Sequence, residues 1–213
     1  MTRTPPTKLR ALLFSLLILV APAGRSQALD QSLFPKAQEV SLSVSLKSAM
    51  MTRVLPATPG LLARVDFKIG FVFKNNTDRP MQFALARNWM PVLVSEDGLP
   101  LQGGLNADAV RNPTMRDFPV IPARATLDVT FYGSIFKSER GLSLGVWEDL
   151  GGGYDFRDIN EKKYRLSLVP ATPDKMYERG LENLGIAPAE LTEFPSTPWV
   201  EIDVAVAARS LGK

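Results

Sequence analysis

Four acids gather around a triple glycine. Glu148 and Asp149 precede Gly151-Gly152-Gly153, and Asp155 and Asp158 follow it. Oxygen-rich loops of this kind can hold calcium. A pair of carboxylates can also hydrolyse a glycoside, one as acid and the other as base or nucleophile. The spacing departs from the D-x-[DN]-x-[DN]-G calcium loop and Arg157 stands among the acids, so the stretch reads first as a solvated hairpin tip. Gly141-Leu142-Ser143-Leu144-Gly145 matches the G-x-S-x-G nucleophile elbow. That elbow needs a strand-to-helix turn and a histidine base. Here Val146 and Trp147 continue a strand and the 213-residue chain has no histidine, so Ser143 is expected only to occupy a polar sheet face.

The absent residue types exclude more. Without histidine there is no Ser-His-Asp or Cys-His machinery and no HExxH zinc site. Without cysteine there is no thiolate nucleophile, disulfide, zinc ribbon or cysteine-ligated cluster. The chain is therefore read as noncatalytic, with no cofactor and no metal. What remains is binding. Trp147 falls out of phase with Leu144 and Val146, so it is expected to face away from the core they build. With Tyr154 and Asp155 it forms a candidate surface for a sugar or a protein partner. Trp89 and Trp199 stand at strand starts. The long polar loop Leu101–Pro119 adds Arg111 and Arg116 to the candidate surface.

The N-terminus reads as a secretory signal. Arg3, Lys8 and Arg10 precede an uncharged apolar run from Ala11 to Ala21, and Pro22 and Gly24 then break it. The run is shorter than the roughly 20 residues of a membrane span. Two small-x-small sites follow, Ala21-Pro22-Ala23 and Ser26-Gln27-Ala28, and cleavage is expected after Ala28. Arg3, Lys8, Arg10 and Arg25 would leave and no acid with them, so a net charge of +3 becomes −1. The mature chain then has no bulk basicity for nucleic acid. A periplasmic or secreted protein is expected, with a protein or cell-envelope component as partner and no membrane span after cleavage. Asn75-Asn76-Thr77 is an N-x-T sequon, read here as a turn.

Residues 29–213 fit one domain with a sizeable core. Period-2 alternation dominates it. It is clear over Val40–Lys47, Arg64–Lys74, Thr126–Phe131, Leu142–Val146, Lys163–Leu168 and Val200–Val206. Asp97-Gly98 marks a hairpin, and the triple glycine separates Leu142–Leu150 from Tyr154–Ile159. One wet and one apolar face per strand means antiparallel sheet, as a two-sheet sandwich or a closed barrel. Near residues 172–191 the period changes. Thr172 and Pro173 can open a helix, Tyr177, Leu181 and Leu184 share a face, and Gly185 can end it. This insertion is read as a cap on one end of the sheets, with a lid or docking element as the alternative.

Residues 65–136 run from a strand through FKNNTDRPMQF and VLVSEDGLPL to a proline-led turn and ATLDVTFYG. This layout resembles small bacterial immunoglobulin-like sandwiches, including the proteinase-inhibitor-like family of bacilli. The resemblance implies an all-β, antiparallel immunoglobulin-like β-sandwich without catalysis. Where that family carries a Pro-Gly turn, this chain has Pro122-Ala123-Arg124. The leading expectation is an exported β-sandwich that binds through loops or a strand edge. The alternatives are a carbohydrate-binding sandwich, possibly calcium-stabilised, and a carboxylate-only hydrolase.

Overall fold

The computed structural model describes residues 41–59, 61–85, 89–106, 112–147, 153–171 and 175–212. The signal segment with its cleavage sites, Arg111, and Glu148 and Asp149 lie outside them. The described residues form twelve strands: β1 Leu42–Leu55, β2 Ala63–Asn75, β3 Met81–Gln82, β4 Trp89–Ser95, β5 Pro100–Leu101, β6 Gly104–Asn106, β7 Val120–Ile121, β8 Thr126–Ser138, β9 Gly141–Trp147, β10 Gly153–Ile159, β11 Lys163–Pro170 and β12 Val200–Asp203. Two helices accompany them, α1 Lys175–Leu184 and α2 Val204–Leu211. The chain is mostly antiparallel β. One sheet has six strands in the order β1-β2-β8-β9-β10-β6, a second has four in the order β12-β11-β4-β5, and β3 pairs with β7.

Phase explains which residues go inside. Val65, Phe67, Ile69, Phe71 and Phe73 of β2 are all buried, and so are their neighbours Val129, Phe131 and Ile135 on β8. One apolar cluster joins these to Trp89 and Leu93 of β4, Leu166 and Leu168 of β11, and Phe194. Aromatic rings bridge the two sheets. Trp89 meets Phe131 edge-on at 5.0 Å, and Phe73 lies 5.6 Å from Phe194. Burying side chains of this size contributes about 1.5–3 kcal/mol each, which lets the chain stand without disulfides.

Turns follow their chemistry. Gly98 adopts φ +81°, and Gly98 N–H donates to Ser95 O, so the Asp97-Gly98 hairpin forms between β4 and β5. Asn75 carries the sequon, but its side chain is fully buried. Its Nδ2 donates to Arg79 O, Ile121 O and Pro122 O, and its Oδ1 accepts from Thr77 N–H and Oγ1. It is a staple between two turns. At Pro122-Ala123-Arg124 the left-handed position falls on Arg124, φ 59°. The Arg124 N–H donates to Thr77 O, and its Nε donates to Asp78. Two partners on the adjoining turn thus hold a conformation that glycine would adopt freely.

The helical insertion forms where it was expected. Gly185, φ +67°, closes α1, with Ile186 N–H bonded to Leu181 O and Gly185 N–H to Glu182 O. Leu181 and Ile186 bury against Ala84 and Phe118, and an added Cβ on Gly180 would come within 2.6 Å of Pro113. The insertion therefore packs on the segment around residues 113–118. The last expected strand is corrected. Only Val200–Asp203 is extended, and Val204 and Val206 belong to α2. Asp203 caps that helix by accepting from Val206 N–H at 2.9 Å. Val204, Ala207 and Ala208 then bury on one helical face.

Candidate binding surfaces

The face of the six-stranded sheet turned away from the core is read from its register. One cross-strand row runs Arg53, Asp66, Ser134, Gly145, Asp155, Gly104. The next runs Met50, Lys68, Tyr132, Trp147, Gly153, Asn106. Trp147 and Asp155 do share this outer face. Tyr154, one residue out of phase with Asp155, projects to the other side. It packs on the core, with its ring 5.9 Å from Trp89 and its hydroxyl donating to Trp89 O. Trp147 and Tyr154 thus do not form one platform.

The companions of Trp147 are Phe136, 6.0 Å away and tilted by 40°, and Gly145. A Cβ on Gly145 would lie 2.7 Å from Trp147 Cζ3, 3.0 Å from Asp155 Oδ1 and 3.2 Å from Phe136 Cε2. The half-buried indole therefore rests on bare backbone, flanked by a carboxylate and a second ring. Farther along the row, Ser134 is fully buried and its hydroxyl donates to Asp66. Arg64 Nε lies 3.1 Å from the same Asp66 oxygen, an ion pair without hydrogen-bond alignment. Lys68 sits over the Tyr132 ring at 5.5 Å. The elbow-like Ser143 is on this outer face too, opposite Phe136, and no helix follows it.

Tyr132, Ser134 and Phe136 were not anticipated. Their signal was the alternation of β8, which continues past Phe131 to Ser138 with a glycine at the core position 133. Arg116 is exposed on a short 3₁₀ turn, Met115–Asp117, beneath which Asp117 accepts from Thr114 N–H. Asp158 adopts φ 55° where the β9–β10 register slips between Phe156 and Ile159. Among the described residues, no group of three acids stands close enough to hold a metal ion.

The other tryptophans part ways. Trp89 is core, only 2% exposed. Trp199 is exposed beside the four-stranded sheet, with the Arg165 guanidinium 5.6 Å from its ring. The lysines near Arg165 are paired. Lys162 donates to Asp97 at 2.8 Å and Lys163 to Glu201 at 2.7 Å, and these bonds, then the attraction of the opposite charges, raise both ammonium groups above the ordinary lysine range. This cluster is a solvated edge rather than a basic patch.

The largest departure from an ordinary surface is β1. It ends its sheet and, among the described residues, pairs only with β2. Leu46, Ala49, Met51 and Val54 stand opposite Phe71, Ile69, Phe67 and Val65 and share their face. The β2 residues are all buried, whereas Leu46 is 42%, Met51 39% and Val54 51% exposed. The layer that covers β2 reaches Leu42 and Val44 at the start of β1 and leaves the strand uncovered from Leu46 on. Leu61 and Leu62, in the connection to β2, are exposed as well. The register slips twice, between Leu46 and Ser48 and between Met51 and Arg53. Lys47 and Arg53 are the only charges in the strand, and Lys47 is bonded to Asp128.

No protein-family model and no curated protein matches the sequence. Among solved structures, the chain is similar to one titled as the X-ray structure of Northeast Structural Genomics Consortium target SoR45. The two are 12% identical with a TM-score of 0.27, over 55% of this chain and 80% of that one. No helix of the described residues is long and apolar enough to cross a membrane.

Proposed function

We propose that the chain is an exported, noncatalytic β-sandwich of immunoglobulin-like kind that binds an extended segment of another protein along β1. The observation that carries this reading is the uncovered apolar row Leu46, Ala49, Met51 and Val54 on a sheet edge. A sheet edge presents unpaired backbone N–H and C=O groups, and an incoming strand satisfies them while alternate side chains set specificity. Covering three half-exposed Leu, Met and Val side chains adds about 2–4 kcal/mol of apolar driving force. The strand carries no acid and, besides Lys47 bonded to Asp128, the cation Arg53, which suits an acidic partner better than a second copy. Antiparallel self-pairing centred on Met50 would set Lys47 against Arg53 of the other copy. The signal-like N-terminus supports an exported setting, and the likeness of residues 65–136 to small bacterial sandwiches supports the fold.

The test is capture from cell-envelope extract with the wild type and two variants. Met51→Asp with Val54→Asp replaces two of the four residues of the apolar row with charges, while Met90→Asp alters an exposed residue of the other sheet. The expected result is one protein retained by wild type and Met90→Asp and reduced about tenfold by the double variant. Equal retention by all three would overturn the assignment to β1.

A further inference from the structure

We infer that the turn joining β1 to β2 seats the exported protein on the surface of an anionic lipid bilayer, with Leu61 and Leu62 entering the headgroup–acyl boundary. Only the exported setting, which brings the chain alongside a bilayer, is shared with the binding of a partner at β1. The ten residues from Val54 to Ala63, VLPATPGLLA, hold no charge and a single hydroxyl, that of Thr58. Among the described ones all but Leu55 and Ala63 are exposed, Leu61 by 63% and Leu62 by 52%. Two adjacent leucines left bare at the tip of a hairpin add little to the core. Apolar surface of this kind marks contact with a protein or a lipid layer.

The backbone separates those two. Pro56 and Pro59 bring no N–H, and the N–H groups of Thr58 and Leu61 bond each other's carbonyls at 3.1 and 2.9 Å. A protein that added a strand here would find few donors to pair with. A lipid layer is suited by the same lack, because an N–H without a partner is costly in an apolar medium. The charges agree. On β1, β2 and the β8–β9 turn the nearest in register are Arg53, Arg64, Lys137 and Arg140, against Asp66 and Glu139. Asp66 is engaged by Arg64 and Ser134, so Arg53, Lys137 and Arg140 stand against Glu139. An apolar tip inside a cationic collar fits anionic headgroups, since apolar burial and charge attraction add. The reach agrees as well. Leu61 lies two residues past the Ala63–Lys137 pair. That is at most about 7 Å of strand, within the depth of about 5–10 Å that interfacial elements enter and far short of a span.

The chain has no cysteine, so Leu61→Cys and Leu46→Cys each give one site for an environment-sensitive nitrobenzoxadiazole label. The exported form beginning after Ala28 is used, because the apolar run Ala11–Ala21 would itself enter lipid. The probes are vesicles of phosphatidylcholine with phosphatidylglycerol, and vesicles of phosphatidylcholine alone. The mixed vesicles should brighten and blue-shift the label at position 61. They should leave the label at position 46, about 25 Å back along β1 from Val54, unchanged. In flotation, Leu61→Asp with Leu62→Asp should lower partition into the mixed vesicles at least about tenfold. The same variant should keep the partner captured through β1, which shows that it folds and separates the two sites. Lys137→Glu with Arg140→Glu should lower partition into the mixed vesicles about tenfold and leave phosphatidylcholine alone unaffected. No emission change at position 61, an equal change at position 46, or full partition by the Leu61→Asp, Leu62→Asp variant overturns the inference. A response at position 61 to lipid-free envelope proteins but not to vesicles overturns it too, and marks the tip as a protein contact.

Discussion

Replacing Asn75 tests whether polar satisfaction, and not only apolar packing, holds the turns together. Its side chain is fully buried and makes five hydrogen bonds of 2.7–3.1 Å, three to carbonyls of two separate turns and two from Thr77. Asn75→Ala strands the N–H of Thr77 and takes a donor from Ile121 O, while Arg79 O keeps a bond from Thr77 Oγ1 at 3.0 Å and Pro122 O keeps one from Ala125 N–H at 3.1 Å. Each stranded buried group costs about 1–3 kcal/mol. Relaxation and water entry reduce the sum over the two groups, so about 2–4 kcal/mol of lost stability is expected, a large share of the 5–15 kcal/mol typical of a domain. Asn75→Asp keeps the shape and the two bonds from Thr77 but sets a carboxylate against three carbonyl oxygens. Burial and those oxygens raise its folded pKa above the unfolded value. The variant is then most stable when the group is protonated and loses stability as pH rises through the carboxylate range. Urea unfolding measures both, with Asn76→Ala as the control, since Asn76 Nδ2 donates to Ser43 Oγ in a half-buried turn. A loss below about 1 kcal/mol for Asn75→Ala, or a pH-independent Asn75→Asp, would refute the reasoning.

Other outcomes follow from single contacts. Gly133→Ala puts a Cβ 2.2 Å from Phe67 Cζ and 2.6 Å from Gly145 O, so chemical denaturation should show a loss of about 1–3 kcal/mol or more from overpacking. Gly185→Ala forces φ +67° on a residue with a Cβ and should cost about 1 kcal/mol by the same assay. The Asp78 carboxyl is held below its usual range by its bond to Arg124 and then by that charge. Its contribution is present above the unfolded pKa and disappears as pH falls through the folded value, so Arg124→Ala should flatten the acid limb of the stability curve slightly. With no histidine in the chain, thermal midpoints should hold steady between about pH 5.5 and 8.

The strands were legible because burial on one face writes a period of two into the sequence. β2, β9, β10 and β11 were readable within a few residues, and so was the Asp97-Gly98 hairpin. The C-terminus was not, because Val200, Ile202, Val204 and Val206 satisfy a strand while Val204, Ala207 and Ala208 equally satisfy a helix. The Asp203 cap decides between them, and a cap is visible only once the helix exists. Trp147 on the outer face followed from phase alone. Its pairing with Tyr154 failed because alternation within one strand does not fix the register with the next: Tyr154 stands opposite the core-facing Val146, and Asp155 stands opposite Gly145. The exposed row on β1 was hidden. Leu46, Met51 and Val54 look like core residues, and only the extent of the opposing layer leaves them uncovered.

The most direct test of the binding account places a photo-crosslinking side chain at Leu46, Met51 and Val54 in turn, in the intact exported protein in the cell envelope. If an extended strand lies along β1, each position captures the same partner. The captured residues then step along that partner in one direction, in register with the steps along β1. Adducts scattered over several proteins, or links between copies of this chain alone, would contradict it.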